Sequence, residues 1–259
     1  MVLDEQTVML WFGRFLWPFL RITGLFLTAP LFGSTLIPNM VKALLAGALA
    51  LALALWLPDL PAYPADPARA ILTGFEQIAY GALLGMAAQI VLAALSSAGE
   101  IIGEAMGLSF ATLQFRDAPG ASSVLADIMQ WAGLLGYMAA GGPVWLFMAL
   151  AHSFAHGAGL APLQGWGALA GMGGVVFSAA LALALPVLAA GFCVNLTVGL
   201  ATIFASSLNL LSVGFPLLIL AGLWVLVGMV PAIGVAISHI TAQCMALVAG
   251  SVSYTHLRA

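Results

Sequence analysis

Long apolar runs, interrupted at a few places by short polar or proline-rich segments, set the pattern of the chain. A helix needs about 20 apolar residues to cross a hydrocarbon core, and five or six stretches reach that length. The first is Leu10–Ala29, ended by Pro30, and the second is Val41–Leu57. The second closes in the segment Pro58 to Pro67, whose four prolines and two aspartates stop a helix. A third stretch starts near Ala70, passes the Ser96-Ser97 pair and continues into AGEIIGEAMGLSFATLQFRD, Ala98 to Asp117. The fourth is Val124–Leu150 and the fifth Leu169–Gly199. The last, Phe215 to about Val248, is long enough for two segments hinged at Pro231. Gly214 followed by Pro216 reads as a break between hairpin arms.

Composition turns this pattern into a fold class. Of 259 residues, 63% are hydrophobic and 6% charged, and the mean hydropathy is +1.14, far above the globular range. Ile128 to Leu257 carries no Asp, Glu, Lys or Arg, so that half has no solvated face of its own and is covered by lipid or protein. The reading is an all-α integral membrane protein. The longest polar connection is about a dozen residues, so residues 1–250 form a single membrane domain. The terminal SVSYTHLRA, residues 251–259, departs abruptly from the preceding apolar pattern and resembles a translated vector scar. Asp4 and Glu5 stand where a signal peptide would be cationic, so the first apolar run is a retained helix.

Charge adds exclusions. Six scattered basic residues in a chain of net charge −3 make no stripe for phosphates, which excludes nucleic acid as a partner. Lys42, Arg69 and Arg116 fall in three successive connections, two with acidic neighbours, so the distribution of basic residues assigns no orientation. Cys193 and Cys244 lie in apolar stretches and read as buried small hydrophobes.

Candidate chemistry concentrates in Ala98–Asp117. Glu100 and Glu104 project from one helix face, and carboxylates at membrane depth are candidates for an ion or proton site. Gly99, Gly103 and Gly107 repeat every four residues, a small-residue seam along which another helix can approach closely. His152 and His156 share the spacing of paired metal ligands, but a third and fourth ligand are far off in sequence, and no metal site is assigned. The chain has no H-E-x-x-H, no G-x-S-x-G and no P-loop lysine motif, which argues against an enzyme and leaves no cofactor to assign. Asn195, Ser206, Ser207 and Asn209 place hydrogen-bonding side chains where they can tie helices together.

Three blocks together resemble one family, the FliR/SctT export-gate proteins of flagellar and virulence type III secretion. The first block carries Arg21, Ala29-Pro30, Ile37-Pro38 and Lys42. The second is AGEIIGEAMGLSFAT, Ala98 to Thr112. The third is LNLLSVGFPLLILAGL, Leu208 to Leu223. Two places depart from the family pattern. Ala201–Ser207 lacks the Arg and the Ala-Pro-Gln that members carry, and Ala118 separates Asp117 from Pro119 where members have Asp-Pro. The resemblance implies one copy of the chain in a helical, tapered, hetero-oligomeric gate with FliP-like and FliQ-like subunits and a FlhB-like switch subunit. The gate would lie at the flagellar basal body in the bacterial inner membrane and pass unfolded proteins, its helices partly raised out of the lipid. It also implies a plug loop over about Met106 to Gly120. On this sequence Met106, Phe110, Leu113, Phe115, Arg116 and Asp117 then obstruct the pore and allow it to move, Gly99, Gly103 and Gly107 pack the supporting helix, and Glu100 and Glu104 face a polar channel or interface. The alternative from composition alone is a small ion-coupled transporter using Glu100 and Glu104.

Overall fold

The computed structural model describes residues 5–33, 37–57, 63–64, 66–108, 124–155, 167, 169–204 and 210–253. Among them the chain is helical, in seven main helices: α1 (Glu5–Thr28), α2 (Asn39–Trp56), α3 (Pro67–Ala105), α4 (Val124–Ala139), α5 (Gly142–Ala155), α6 (Gly173–Phe204) and α7 (Leu210–Ser253). Four stretches are long and apolar enough to cross a membrane: α2, α3, α6 with its short lead-in (Leu169–Phe204), and the greater part of α7 (Val213–Ala246). The broken pair α4 and α5 makes a fifth if it counts as one crossing. This confirms the all-α membrane class.

Several expected boundaries shift. The stretch expected as one span from Val124 breaks at Ala140-Gly141, where Gly141 takes a left-handed φ of 75°. The sequence Gly141-Gly142-Pro143 explains it: glycine adopts that φ without steric cost, and proline suits the first turn of the next helix. Conversely, neither the break at Gly214–Pro216 nor the hinge at Pro231 interrupts helical structure, because α7 runs through both prolines. An apolar helix tolerates proline when the freed carbonyls find other partners. α1 is long enough to span but does not join the four apolar helices, since Arg14 and Arg21 both lie within it.

The helices group into two compact units. Unit 1 holds residues 1–90, 140–172 and 241–259, and unit 2 holds residues 91–139 and 173–240. α3 contributes its first part to one and its last part to the other.

In unit 1, Trp17, Ile22, Leu25 and Phe26 of α1 are buried, as are Leu83, Leu84 and Ala87 of α3 and Leu150 and Phe154 of α5. Glycine brings α1 and α3 together at backbone distance. A Cβ on Gly24 would strike the carbonyl oxygen of Ile78, and one on Gly81 the carbonyl oxygen of Arg21. Gly85 faces Thr28 and the Ala29 amide in the same way, while the Thr28 hydroxyl donates across the seam to the Ala82 carbonyl at 2.9 Å. Arg14 fixes α1 to α2 by donating to the Ala54 and Leu57 carbonyls at 3.1 and 3.0 Å. Those carbonyls belong to the C-terminal end of α2, where the last four lack helical donors and carry the negative end of the dipole.

In unit 2, Ile102 and Met106 from the end of α3 form one cluster with Leu125 of α4 and with Ala184 and Val187 of α6. Ile219, Val225, Leu226 and Met229 of α7 pack against it. Much apolar surface stays outside this core: Phe192, Leu196 and Phe204 of α6 and Leu220, Trp224 and Val227 of α7 are exposed, Phe204 and Trp224 at 88% and 84%. Patches of this size on a chain mark lipid or protein contact.

Candidate functional site: the capped end of helix α3

The four-residue glycine repeat divides into different roles. Gly99 is a packing glycine, since a Cβ there would come within 2.6 Å of the Ala126 Cα and 2.7 Å of the Leu125 carbonyl oxygen. The partner is α4 of the same chain, so this part of the seam is used within the subunit. Gly103 is buried one turn further on. Gly107 lies beyond the helix, with φ of 73°.

Two hydrogen bonds show what Gly107 does. Its amide donates to the Glu104 carbonyl at 3.0 Å, and the Leu108 amide donates to the Gly103 carbonyl, also at 3.0 Å. This paired 5→2 and 6→1 arrangement around a left-handed residue is the Schellman motif, which satisfies the orphan carbonyls of a helix end and reverses the chain direction. A Cβ at Gly107 would also meet the Phe215 ring at 2.8 Å. Gly107 therefore stops the helix, where the spacing alone reads as a third packing position.

Met106, inside this cap, is 2% exposed and belongs to the unit 2 cluster. Its side chain lies over Gly222 of α7, where a Cβ would meet the Met106 Cγ at 2.5 Å and Sδ at 2.7 Å. Met106 is thus held in the core, at the point from which the expected plug segment departs. Phe110, Leu113, Phe115, Arg116 and Asp117 lie outside the described residues.

Glu100 and Glu104 are both exposed, one turn apart on α3. Their neighbours Gly99 and Gly103 are buried, so this end of the helix has one face packed and one face open with two carboxylates on it.

The remaining candidates stay apart. His152 and His239 are exposed, and His156 lies outside the described residues. No group of three or more His, Cys, Asp or Glu side chains suited to a metal occurs among the described residues. Cys244 is buried as expected, but Cys193 is exposed, and both are free thiols. Asn195 is likewise exposed on α6. Ser206, Ser207 and Asn209 lie outside the described residues.

The polar centre that the sequence reading passed over is Arg21. Its side chain is 1% exposed. Nε donates to Gln77 Oε1 at 2.8 Å and an Nη to Ser153 Oγ at 2.6 Å. Ser153 in turn donates to the Leu150 carbonyl at 2.6 Å. The guanidinium carbon sits 4.6 Å from the Tyr80 ring centroid and 3.9 Å from that of Phe154. A buried cation is costly unless hydrogen bonds and π faces replace its hydration, and here neutral groups of α3 and α5 do so. In the sequence, Arg21 was legible only as a family position. Gln77 and Ser153, 56 and 132 residues away, share no local pattern with it.

Comparison with known proteins finds relatives over nearly the whole length of the chain. The model of the bacterial export proteins, family 1, matches residues 12–244. The flagellar biosynthetic protein FliR of Escherichia coli K12 is 34% identical over 248 residues, 94% of each chain. FliR of Pectobacterium carotovorum is 34% identical over 92% of each, and FliR of Bacillus subtilis is 26% identical over 80% of this chain and 82% of its own. With the family's pattern running from the start of α1 almost to the end of α7, the chain belongs to the bacterial export proteins of family 1, the FliR family.

Proposed function

We propose that the chain is a structural and gating subunit of a flagellar protein export channel in the bacterial inner membrane, and that the segment following Leu108 closes the pore. The observation that carries the closure is the pinned end of α3. The helix stops in a Schellman turn at Gly107, with Met106 buried beneath it and Phe215 against it. An end held in this way lets the segment beyond it change position without unwinding the helix. Phe110, Leu113 and Phe115 supply the apolar obstruction, Arg116 and Asp117 the polar part that lets it move, and Gly99 and Gly103 the rigid support.

Membership in an assembly explains the rest of the surface. At 1.5 Å per residue, the 39 residues of α3 run about 58 Å along the helix and the 44 of α7 about 66 Å. A hydrocarbon core of about 30 Å, crossed even at a tilt of about 40°, takes up only about 26 residues. The surplus apolar helix needs protein around it, and subunits of the FliP and FliQ type, with a FlhB-like switch subunit, are the partners we assign to the exposed faces of α6 and α7. Glu100 and Glu104, open on one face of α3, then meet a polar interface or the channel. Unfolded exported proteins are the substrate.

The test deletes Ser109–Gln114 and measures ion or small-solute leak in cells producing the complete gate. We expect leak to rise while the gate still assembles. An unchanged leak with normal assembly removes the closure role. Glu100→Gln with Glu104→Gln separates the transporter alternative: loss of ion coupling with secretion intact supports a transporter, and altered assembly or secretion supports the gate.

A further inference from the structure

The first turns of α3 leave one side of the helix uncovered. Ala70 and Gln77 are buried within unit 1, whereas Ile71, Leu72 and Phe75 are 63%, 59% and 68% exposed. At 3.6 residues per turn these three share one side of the helix, and Met86, also exposed, extends it by about three turns.

Two charges flank Leu72 along one edge of this side. Arg69 is exposed and Glu76 half-buried, and among the described residues neither has a hydrogen bond or an ion pair. They cannot satisfy each other, because seven residues of helix separate them by about 10 Å, beyond the three- and four-residue spacings at which side chains pair.

Two surroundings fail on this combination. Water would solvate Glu76 but leave three large, adjacent apolar side chains wet. Lipid would cover those three but leave the Glu76 carboxylate against hydrocarbon with no partner. Arg69, in the first turn and on a long stem, would have a way out to water; Glu76, two turns further along and on a shorter stem, would not. A protein helix with a basic side chain opposite Glu76 meets both demands, since it covers the apolar side chains and donates a charge-assisted hydrogen bond to the carboxylate.

We infer that this side of α3 docks a helix of a neighbouring gate subunit, which sets a Lys or Arg against Glu76 and an Asp or Glu against Arg69, with apolar side chains between them. The two charges also give the partner helix a direction, because reversing it would set like charges together. The inference rests on the reading of the chain as a gate subunit and adds to it a docking surface apart from the exposed faces of α6 and α7. None of these residues belongs to the closing segment.

The experiment places the photoreactive amino acid benzoylphenylalanine at Phe75, keeps Arg69 and Glu76 intact, and irradiates the complete gate purified with its partner subunits. We expect an adduct to a helix of a partner subunit, in which peptide mass spectrometry finds a Lys or Arg near the attachment point and an Asp or Glu about two turns from it. Glu76→Lys should lower recovery of that subunit with the chain by about tenfold or more, the effect of like charges held together in an interface. Changing the partner's basic residue to Glu should then restore it. Arg69→Glu, at an exposed position, should lower recovery by no more than about fivefold. An adduct to lipid or to a second copy of the chain overturns the inference, as does recovery unchanged by Glu76→Lys. A gate of normal composition that forms no adduct overturns this docking surface alone, whereas an unaltered chain that purifies without partner subunits overturns the gate reading and this inference with it.

Discussion

The first part of α3, in unit 1, packs around a buried cation, while its last part, in unit 2, enters an apolar cluster and ends in a left-handed turn. In unit 1, Gln77 and Tyr80 of α3 face Arg21, and Gly81 and Gly85 bring the backbone against α1. In unit 2, Ile102 and Met106 enter a cluster with Leu125, Ala184 and Val187. One helix thus supports two kinds of core. A hydrogen-bonded cation has few acceptable geometries and specifies one arrangement sharply, whereas a methionine over a glycine adapts to small displacements. The adaptable core is the one beside the segment assigned to closure.

The comparison is broken most severely at Arg21. Arg21→Leu removes two hydrogen bonds and two cation–π contacts and leaves the buried Gln77 carbonyl oxygen without its donor. We expect a loss of about 3 kcal/mol or more, read as a collapse in the amount of assembled gate. Arg21→Lys should recover only part of it, because an ammonium cannot lie flat between the two rings. Equal behaviour of the Lys and Arg forms would show that charge alone matters.

At the other end, Met106→Ala should cost about 2–3 kcal/mol through the cavity it leaves. Its distinguishing readout is functional: loosening the anchor of the closing segment should raise solute leak in gates that still assemble, whereas Arg21 variants should lower assembly without leak. Leak from assembled Arg21 variants would mean that the two cores are not separate in function.

The smallest effect sharpens the contrast in glycine use. Gly81→Ala drives a methyl into the Arg21 carbonyl, which cannot move aside, and should cost about 2 kcal/mol. Gly222→Ala meets the Met106 side chain, Cγ first, which can rotate where a carbonyl cannot, and should cost about 1 kcal/mol. Thermal stability of the purified gate measures both, and similar losses would mean that Met106 is as rigidly held as the backbone.

The sequence made some of this architecture readable and hid the rest for identifiable reasons. Prolines 58 to 67 marked the end of α2 and the start of α3, and the apolar run through Ser96-Ser97 foretold a helix reaching Ala105. The Gly141-Gly142-Pro143 break carried a local signal that the surrounding apolar run masked. Pro216 and Pro231 misled in the opposite direction, since proline interrupts helices less in apolar surroundings. At the candidate site, the spacing of Gly99, Gly103 and Gly107 suggested a single seam, but spacing cannot tell a helical glycine from the one that ends the helix. Gly81 and Gly85 repeat the same four-residue interval and pack α1 against α3, a signal present in the sequence but outside the segment that drew notice for its charge.

The distance in sequence between Arg21 and its partners also sets an order in time. The Arg14 contacts to α2 close over 40 and 43 residues, so the first hairpin can form early in synthesis. Ser153, however, follows Arg21 by 132 residues, which at about 5–20 residues per second is a delay of roughly 7 to 26 seconds. Through that interval the nascent chain carries an arginine whose final setting does not yet exist. Unit 1 therefore cannot finish folding until α5 has been made, and a ribosome stalled between α3 and α5 would leave a fragment with an exposed, incompletely bonded cation for the cell's quality control to recognise.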